Sequence, residues 1–474
     1  MTDTRPVTLF SIVMAASPGR VSGSPLTKIT GVQHDSRQVS EGDLFACLVG
    51  ANFDGHAFIN DAVRRGAPAL MVNEGRQTEV PSEVPTLIVP DTRRALGGVA
   101  SCLYGEPSRH MDIIGVTGTN GKSTTVAMCT AIGEAAGIPS GRIGTLGAYA
   151  MGEDLPSVHT TPEADDLQRL LDQMRRMGVK LVAMEVSSHA LAQYRTDGTH
   201  FRAGVFTNLT QDHLDYHGTL ESYFQAKLRL FSEYSTRSGK PFIAAVNADD
   251  PHGAAVVEAT TGECVTFGLS DAAAVRAQDV EARPNRTAFM LIGLGDPVRI
   301  ELPIGGSFQV QNALGAISVC NAIGIPMPAI VEGLRTMKPV PGRFEAVPTG
   351  RDWDVIVDFA HTPDGLQSLL LSARALNPRR IILVIGCGGN RDATKRPIMG
   401  RIAANKADIV VFTSDNPRHE DPAAIIDQIL AGTTGCSASV FTEVERAKAT
   451  EKALRLAEPG DLVLIAGKGG ETYT

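Results

Sequence analysis

Ile113-Ile114-Gly115-Val116-Thr117-Gly118-Thr119-Asn120-Gly121-Lys122-Ser123-Thr124 is the stretch on which the fold turns. An apolar, β-prone run enters a glycine loop, and Lys-Ser opens a helical segment. Amides of such a loop and of the helix N-terminus can surround phosphate oxygens. The lysine neutralises their charge, and the serine can reach a magnesium ion. The commoner GxxxxGK[ST] pattern wants glycine where Val116 stands, so the match is to the shorter GTNGKS form. Gly118, Thr119, Asn120, Gly121, Lys122, Ser123 and Thr124 form the expected ATP cradle.

Outward from this loop, the pattern of apolar strand, polar loop and amphipathic helix repeats. Strands are expected at Leu181–Val186, Val205–Thr207 and Phe242–Val246, with helices after Lys122 and over Ala164–Met177. Alternation of this kind predicts an α/β protein with a mostly parallel sheet covered by helices on both faces. The theme returns in Val355–Asp358, Ile381–Ile385, Ile409–Phe412 and Leu462–Ala466, which reads as a Rossmann-like unit. Before the loop, short apolar runs at Asp43–Val49, Ala69–Val72 and Thr86–Val89 read as a small α/β unit. Turn-rich punctuation at Tyr104–Ser108 and Met337–Gly342 separates the three. The expected domains are 1–110, 111–338 and 339–474.

Glu185 closes an expected parallel strand, so its carboxylate should reach the sheet edge where the phosphate loop lies, as a magnesium ligand. His213 follows another strand; a lone histidine there is more often structural. Lys227 is by itself an ordinary helical lysine.

Composition narrows the function. Lys and Arg total 44 against 52 Asp and Glu, a net charge of −8, which leaves no broad basic surface for a nucleic-acid backbone. Seven scattered cysteines without a CxxC pair argue for reduced thiols. The first residues lack a long apolar run, and no membrane span is expected, so the reading is a cytoplasmic protein.

In this order, GTNGKS, Met184–His189 and Asp212–Gly218 resemble the Mur ligases and the related folylpolyglutamate synthetases. The likeness continues through Gln309–Ala313, Pro341–Glu345, Val357–Pro363 and Gly386–Asp392, nearly the whole chain. It implies that the three domains take a uridine nucleotide, ATP and an amino acid in turn, and that the chain acts as a monomer. Asn312 and Arg343 then match ATP contacts. His213 and Lys227 match magnesium-site positions beside Ser123 and Glu185, with Lys227 modified to a carbamate.

Within the family the pattern is similar to the branch adding the third residue of the peptidoglycan stem peptide. His159, Thr160, Thr161, Ser187, Gln193 and Arg195 match contacts to UDP-N-acetylmuramoyl-L-alanyl-D-glutamate. His34 and Ser36 match the uridine end, with Ala51, Asn52 and Phe53 in the adjoining loop. Asp415-Asn416-Pro417-Arg418 resembles the signature of enzymes using meso-diaminopimelate, with Arg391, Gly467 and Glu471 completing the set. The chemistry agrees, because diaminopimelate carries a second carboxylate where lysine has a hydrogen, and a guanidinium can hold a carboxylate through two parallel donors. Gln309 replaces a common family asparagine, Gly470 stands where the family usually has histidine, and the sequence ends at Thr474 where the pattern implies a further tail. Competing readings are a lysine-adding ligase, a folylpolyglutamate synthetase, and a P-loop nucleotide switch without ligase chemistry.

Overall fold

The structure is a computed structural model, and it describes residues 6–16, 18–50, 53–157, 159–237 and 239–470. Ala51, Asn52 and Glu471, three expected ligand contacts, lie outside the described residues. The chain divides into two compact units. One comprises Met1–Gly115, Ile138–Gly204 and Arg229–Phe242; the other comprises Val116–Gly137, Val205–Leu228 and Ile243–Thr474.

The first unit opens on a five-stranded sheet in the order Arg20–Ser22, Thr86–Val89, Ala69–Asn73, Asp43–Ala46, Gly31–Gln33. All its pairs are parallel except the first. Both faces are covered, which explains the unbroken apolar runs. Leu44, Ala46, Ala69, Met71, Leu87 and Val89 pack on one side, and Phe45, Cys47, Leu70, Val72 and Ile88 on the other. The same unit holds the strand Leu181–Glu185, parallel to Ser140–Gly144, which continues antiparallel into Gly147–Ala150 and Glu153–Leu155.

In the second unit Ile243–Asn247, Glu263–Gly268 and Val275–Arg283 run parallel. Two antiparallel strands, Arg286–Ile292 and Val298–Leu302, follow. The helix Lys122–Ala135, which the phosphate loop opens, packs against Gln309–Ala322 and Met327–Thr336. The last contact is close: a β-carbon on Gly333 would lie 2.6 Å from the Ile132 Cα, so only glycine lets the two helices meet. The C-terminal sheet has the order Glu345–Val347, Asp354–Asp358, Leu462–Ala466, Ile381–Ile385, Ile409–Phe412, Ser439–Thr442, parallel throughout except its first pair. Its strands also alternate between two apolar layers, with Ile381, Leu383 and Ile385 on one face and Ile382 and Val384 on the other. Parallel pairing brings the ends of these strands, and the loops after Asp358, Ile385, Phe412 and Ala466, to one edge. No helix among the described residues is long and apolar enough to cross a membrane.

Candidate active site

The phosphate loop leaves the strand Asp112–Thr117 and enters the helix Lys122–Ala135 through Gly121 in a left-handed conformation, φ 87°. A β-carbon there would lie 2.2 Å from the Asn312 Oδ1, and one on Gly118 would lie 1.9 Å from the Thr207 Oγ1. Both glycines are therefore demanded by space as well as by backbone conformation. The loop is tied down by its neighbours. The Asn120 amide donates to Asn208 Oδ1 (2.9 Å), the Thr207 hydroxyl donates to the Asn120 carbonyl (2.6 Å), and the Asn120 side chain donates to Asp364 (3.1 Å).

Two lysines converge on one carbonyl. Lys122 Nζ donates to the oxygens of Gly118 (2.9 Å) and Thr119 (2.8 Å), and Lys227 Nζ donates to the same Gly118 oxygen (2.8 Å). Lys227 is fully buried in the helix Leu220–Ser232, its amine 4.4 Å from the centre of the Tyr223 ring. Burial, and after it the charge of Lys122, push this amine well below the ordinary lysine range. Ser123 Oγ accepts from Arg343 Nη2 (3.1 Å), whose guanidinium sits 4.1 Å from the Phe359 ring centre. Asn312 donates to Gln309 (2.8 Å), so the glutamine that departs from the family pattern braces the asparagine that matches it.

His213 caps the short helix Leu214–His217 with φ 54° and lies 3.2 Å from Asp212. Burial opposes ionisation of Asp212, yet His213, His361 and Lys395 together hold its carboxyl below the ordinary range. Lys395 also donates to the His361 carbonyl (2.9 Å). Asp212 and Lys395 carried no signal of their own in the sequence, although Asp212 stands inside a motif read for its histidine.

The first unit gathers the residues matched to the muramoyl dipeptide. Glu185 is buried and accepts from the Thr145 amide (2.8 Å) and hydroxyl (3.2 Å). Thr161 Oγ1 donates to the Glu185 carbonyl (2.8 Å) and accepts from the Ser187 amide (3.1 Å), and Ser187 caps the helix Ser188–Ala192. Arg195 donates to the Thr161 carbonyl (3.2 Å) and to Gln193 (2.7 Å), and pairs with Glu163 at 3.1 Å. Thr160 joins the cluster through Thr145 (3.1 Å). His159 meets only Ser157, through its carbonyl (3.4 Å), and Phe53 is exposed.

At the uridine end Ser36 is buried at the start of the turn Ser36–Gln38. His34 is held through its Nδ1 by the fully buried Asp165 (2.8 Å). Burial lowers the His34 pKa, but the hydrogen bond and charge of Asp165, helped by Asp166 and Glu163, outweigh it and raise the imidazole to about 9. A raised folded-state pKa contributes stability that is complete below the unfolded value of 6.5 and lost as pH climbs through about 9. Wild type and His34→Gln should accordingly differ in thermal midpoint near pH 6.5 and converge toward about pH 10. A gap independent of pH would sink the assignment.

At the C-terminal edge, Asp415 is buried beside Gly467, which has φ 112° and whose β-carbon would lie 2.6 Å from Asp415 Oδ2. Asn416 accepts from Lys468 Nζ (3.0 Å). The Pro417 carbonyl lies 1.9 Å from where a β-carbon of Gly389 would sit. Arg418, at φ 53°, donates to the Gly389 carbonyl (2.6 Å). Arg391 is largely exposed, its guanidinium 4.0 Å from Asp215. A cavity of about 550 Å³ is lined by Asp415, Glu443, Arg446 and Lys468 among others; Arg446, which donates to the Ala466 carbonyl (2.7 Å), went unread in the sequence. A β-carbon at Gly470 would meet only ordinary contacts with Pro341, so space does not require glycine there.

Comparison with known proteins agrees with this geometry. The chain matches the Mur ligase family catalytic domain over residues 28–102, the Mur ligase middle domain over 116–320 and the Mur ligase glutamate ligase domain over 342–469. A UDP-N-acetylmuramoyl-L-alanyl-D-glutamate–2,6-diaminopimelate ligase of Geobacillus thermodenitrificans is 44% identical over 94% of this chain and 91% of its own length. The ligase of the same name from Gloeobacter violaceus is 46% identical over 95% of this chain and 90% of its own. A solved structure of a ligase of that name superposes with a TM-score of 0.71 at 29% identity, covering 99% of this chain and 95% of that one. The MurF structure from Acinetobacter baumannii, at 22% identity over 98% of this chain and 96% of its own, shares the fold with the same score. Carrying the phosphate loop, the braced Asn312 and the arginine-bearing C-terminal edge at these levels of identity along nearly its entire length, the chain belongs to the Mur ligase family.

Proposed function

We propose that this protein is the ATP-dependent ligase that joins meso-diaminopimelate to the D-glutamate γ-carboxylate of UDP-N-acetylmuramoyl-L-alanyl-D-glutamate in peptidoglycan synthesis, in the cytoplasm. The observation carrying this reading is identity of 44–46% over at least nine-tenths of each chain to ligases of that name. Three domains divide the work: residues 1–110 hold the uridine nucleotide, 111–338 the ATP, and 339–474 the amino acid.

A carboxylate cannot acylate an amine directly, since oxide would have to leave. The γ-carboxylate oxygen attacks the terminal phosphorus of ATP, ADP departs, and an acyl phosphate forms. The amine of diaminopimelate then attacks the acyl carbon, inorganic phosphate leaves, and the amine loses a proton. No protein nucleophile is required; the protein positions the reactants and neutralises charge. Lys122 and the loop amides face the transferring phosphoryl group, and Asn312 and Arg343 hold the rest of the nucleotide. Thr160, Thr161, Ser187, Gln193 and Arg195 orient the dipeptide, with His34 and Ser36 on the uridine. Arg391, Asn416 and Arg418 take the amino acid, with Asp415 and Gly467 shaping the pocket.

The hydroxyl of Ser123 and the buried carboxylate of Glu185 are hard oxygen donors of the kind magnesium prefers, and His213 adds a nitrogen. Bound there, magnesium would offset the charge of the ATP phosphates. Lys227 fits the set as a carbamate: its buried amine is held toward the neutral form that attacks carbon dioxide, and the product replaces a cation with two oxygens. Protein equilibrated with ¹³C-bicarbonate should show a carbamate carbon resonance that Lys227→Ala lacks, and wild-type turnover should fall in carbon-dioxide-depleted buffer. Absence of the resonance together with unaffected turnover would remove the modification.

The test of the whole reading is phosphate release from ATP in the presence of the UDP-muramoyl dipeptide and either diaminopimelate or lysine. Release should require both acceptor and diaminopimelate. Release with ATP alone would favour a nucleotide switch, and equal use of lysine would move the protein to the lysine-adding branch.

A further inference from the structure

Arg396 is the bulkiest fully buried side chain among the described residues, with 1% exposure. A buried charge costs several kcal/mol unless fully paired, and an apolar side chain commonly serves stability as well, so stability alone is a poor reason to keep a guanidinium there. Its partners supply another reason. Nη1 donates to Glu420 Oε2 (2.8 Å) and Gln428 Oε1 (2.7 Å), while Nη2 donates to Glu420 Oε1 (2.9 Å) and the Gly388 carbonyl (3.2 Å). Gly388 lies in the loop after the strand Ile381–Ile385, and Glu420 in the loop after Ile409–Phe412. Glu420 also accepts the backbone amide of Asn390. The stitching continues from Asn390 Oδ1, which accepts the His419 amide (3.0 Å), and from the Asn416 carbonyl, which accepts the Gly389 amide (2.9 Å).

Both loops carry a strained residue. Asn390 has φ 49° and Arg418 has φ 53°. Non-glycine residues persist in this region where the surroundings over-determine them. The strained positions are Arg418 itself and the residue immediately before Arg391. We infer that the buried Arg396–Glu420 pair is a positioning element that fixes the Arg391 and Arg418 loops against each other and so sets the selection of an amino acid bearing a second carboxylate. Arg396 and Glu420 act through the two arginines and touch no substrate. The inference rests on the proposed role of those arginines in binding diaminopimelate.

Glu420→Gln preserves shape while removing the charge and one of the two carboxylate acceptors. It should raise the KM for diaminopimelate at least about tenfold and lower the preference for diaminopimelate over lysine by a similar factor. KM values for ATP and for the UDP-muramoyl dipeptide should stay within about twofold, a split that general loosening of the fold would not produce. Glu420→Asp, which keeps the charge, should recover part of the loss. If Glu420→Gln does not fold, Asn390→Gly gives the same readout at an exposed position, since glycine accepts the backbone angle and only the His419 contact is lost. A several-fold rise confined to the diaminopimelate KM is expected there. An unchanged diaminopimelate KM, or three KM values rising together, would overturn the inference. Were Arg418→Ala also without effect on diaminopimelate, the amino-acid assignment would fall with it; impairment by Arg418→Ala beside normal Glu420→Gln kinetics would overturn the positioning role alone.

Discussion

Lys122→Ala should lower the turnover of ligation by at least about 10²–10³-fold, the scale on which loss of one pre-organised charge at a reacting centre is felt. The fold should survive. Lys122 is half-buried, and of the two carbonyls it serves, that of Gly118 keeps the bond from Lys227 Nζ (2.8 Å). The structural loss is then about 1–3 kcal/mol. A second consequence strengthens the effect. After burial itself, the Lys122 charge is the next influence holding the Lys227 amine below its ordinary range. Removing it lets Lys227 keep its proton more readily, which works against a carbamate at that position. Lys122→Met should behave like the alanine variant, separating charge from bulk. Turnover by stopped assay, with the thermal midpoint as a control for folding, decides the matter; near-normal turnover in a folded variant would remove Lys122 from phosphate handling.

How much of this could be read in the residues follows from how each feature is encoded. Every strand of the C-terminal parallel sheet that was expected is present, with Ile381–Ile385, Ile409–Phe412 and Leu462–Ala466 at their expected bounds. Strands buried on both faces write themselves as continuous apolar runs. The antiparallel strands Arg286–Ile292 and Val298–Leu302 were not read, because they are half-exposed and interrupted by charges such as Arg299 and Glu301. The phosphate loop was legible for a steric reason: Gly118 and Gly121 are required by Thr207 and Asn312, which lie far along the chain. What the sequence hides is partnership at long range. Arg396 sits in Lys395-Arg396-Pro397 with no periodicity to mark it, and its meaning depends on Glu420 and Gln428 arriving from other elements. Arg446, which reaches the Ala466 carbonyl, is hidden in the same way.

Arg418→Ala should weaken use of diaminopimelate by about 10- to 150-fold in kcat/KM, the equivalent of the roughly 1.5–3 kcal/mol carried by hydrogen bonds to a charged partner. Backbone strain does not confound the comparison. Arginine and alanine both carry a β-carbon, so the left-handed φ of 53° costs the two variants about equally. Nor does burial, since the guanidinium is tied to the protein by one donor, Nη1 to the Gly389 carbonyl at 2.6 Å, and leaves donors for a ligand. Arg418→Lys should fall between the two, because an ammonium keeps the charge and loses the planar fork that matches a carboxylate. Lysine offered as substrate has no second carboxylate to lose, so its poor use should change little, and the ratio between the two amino acids should narrow. That ratio is the informative quantity: a damaged fold lowers both rates together, whereas loss of a carboxylate-binding group lowers only one. Undiminished diaminopimelate use in Arg418→Ala would assign the second carboxylate to other residues of this edge, with Lys468 and Arg446 the cations nearest to hand around Asp415.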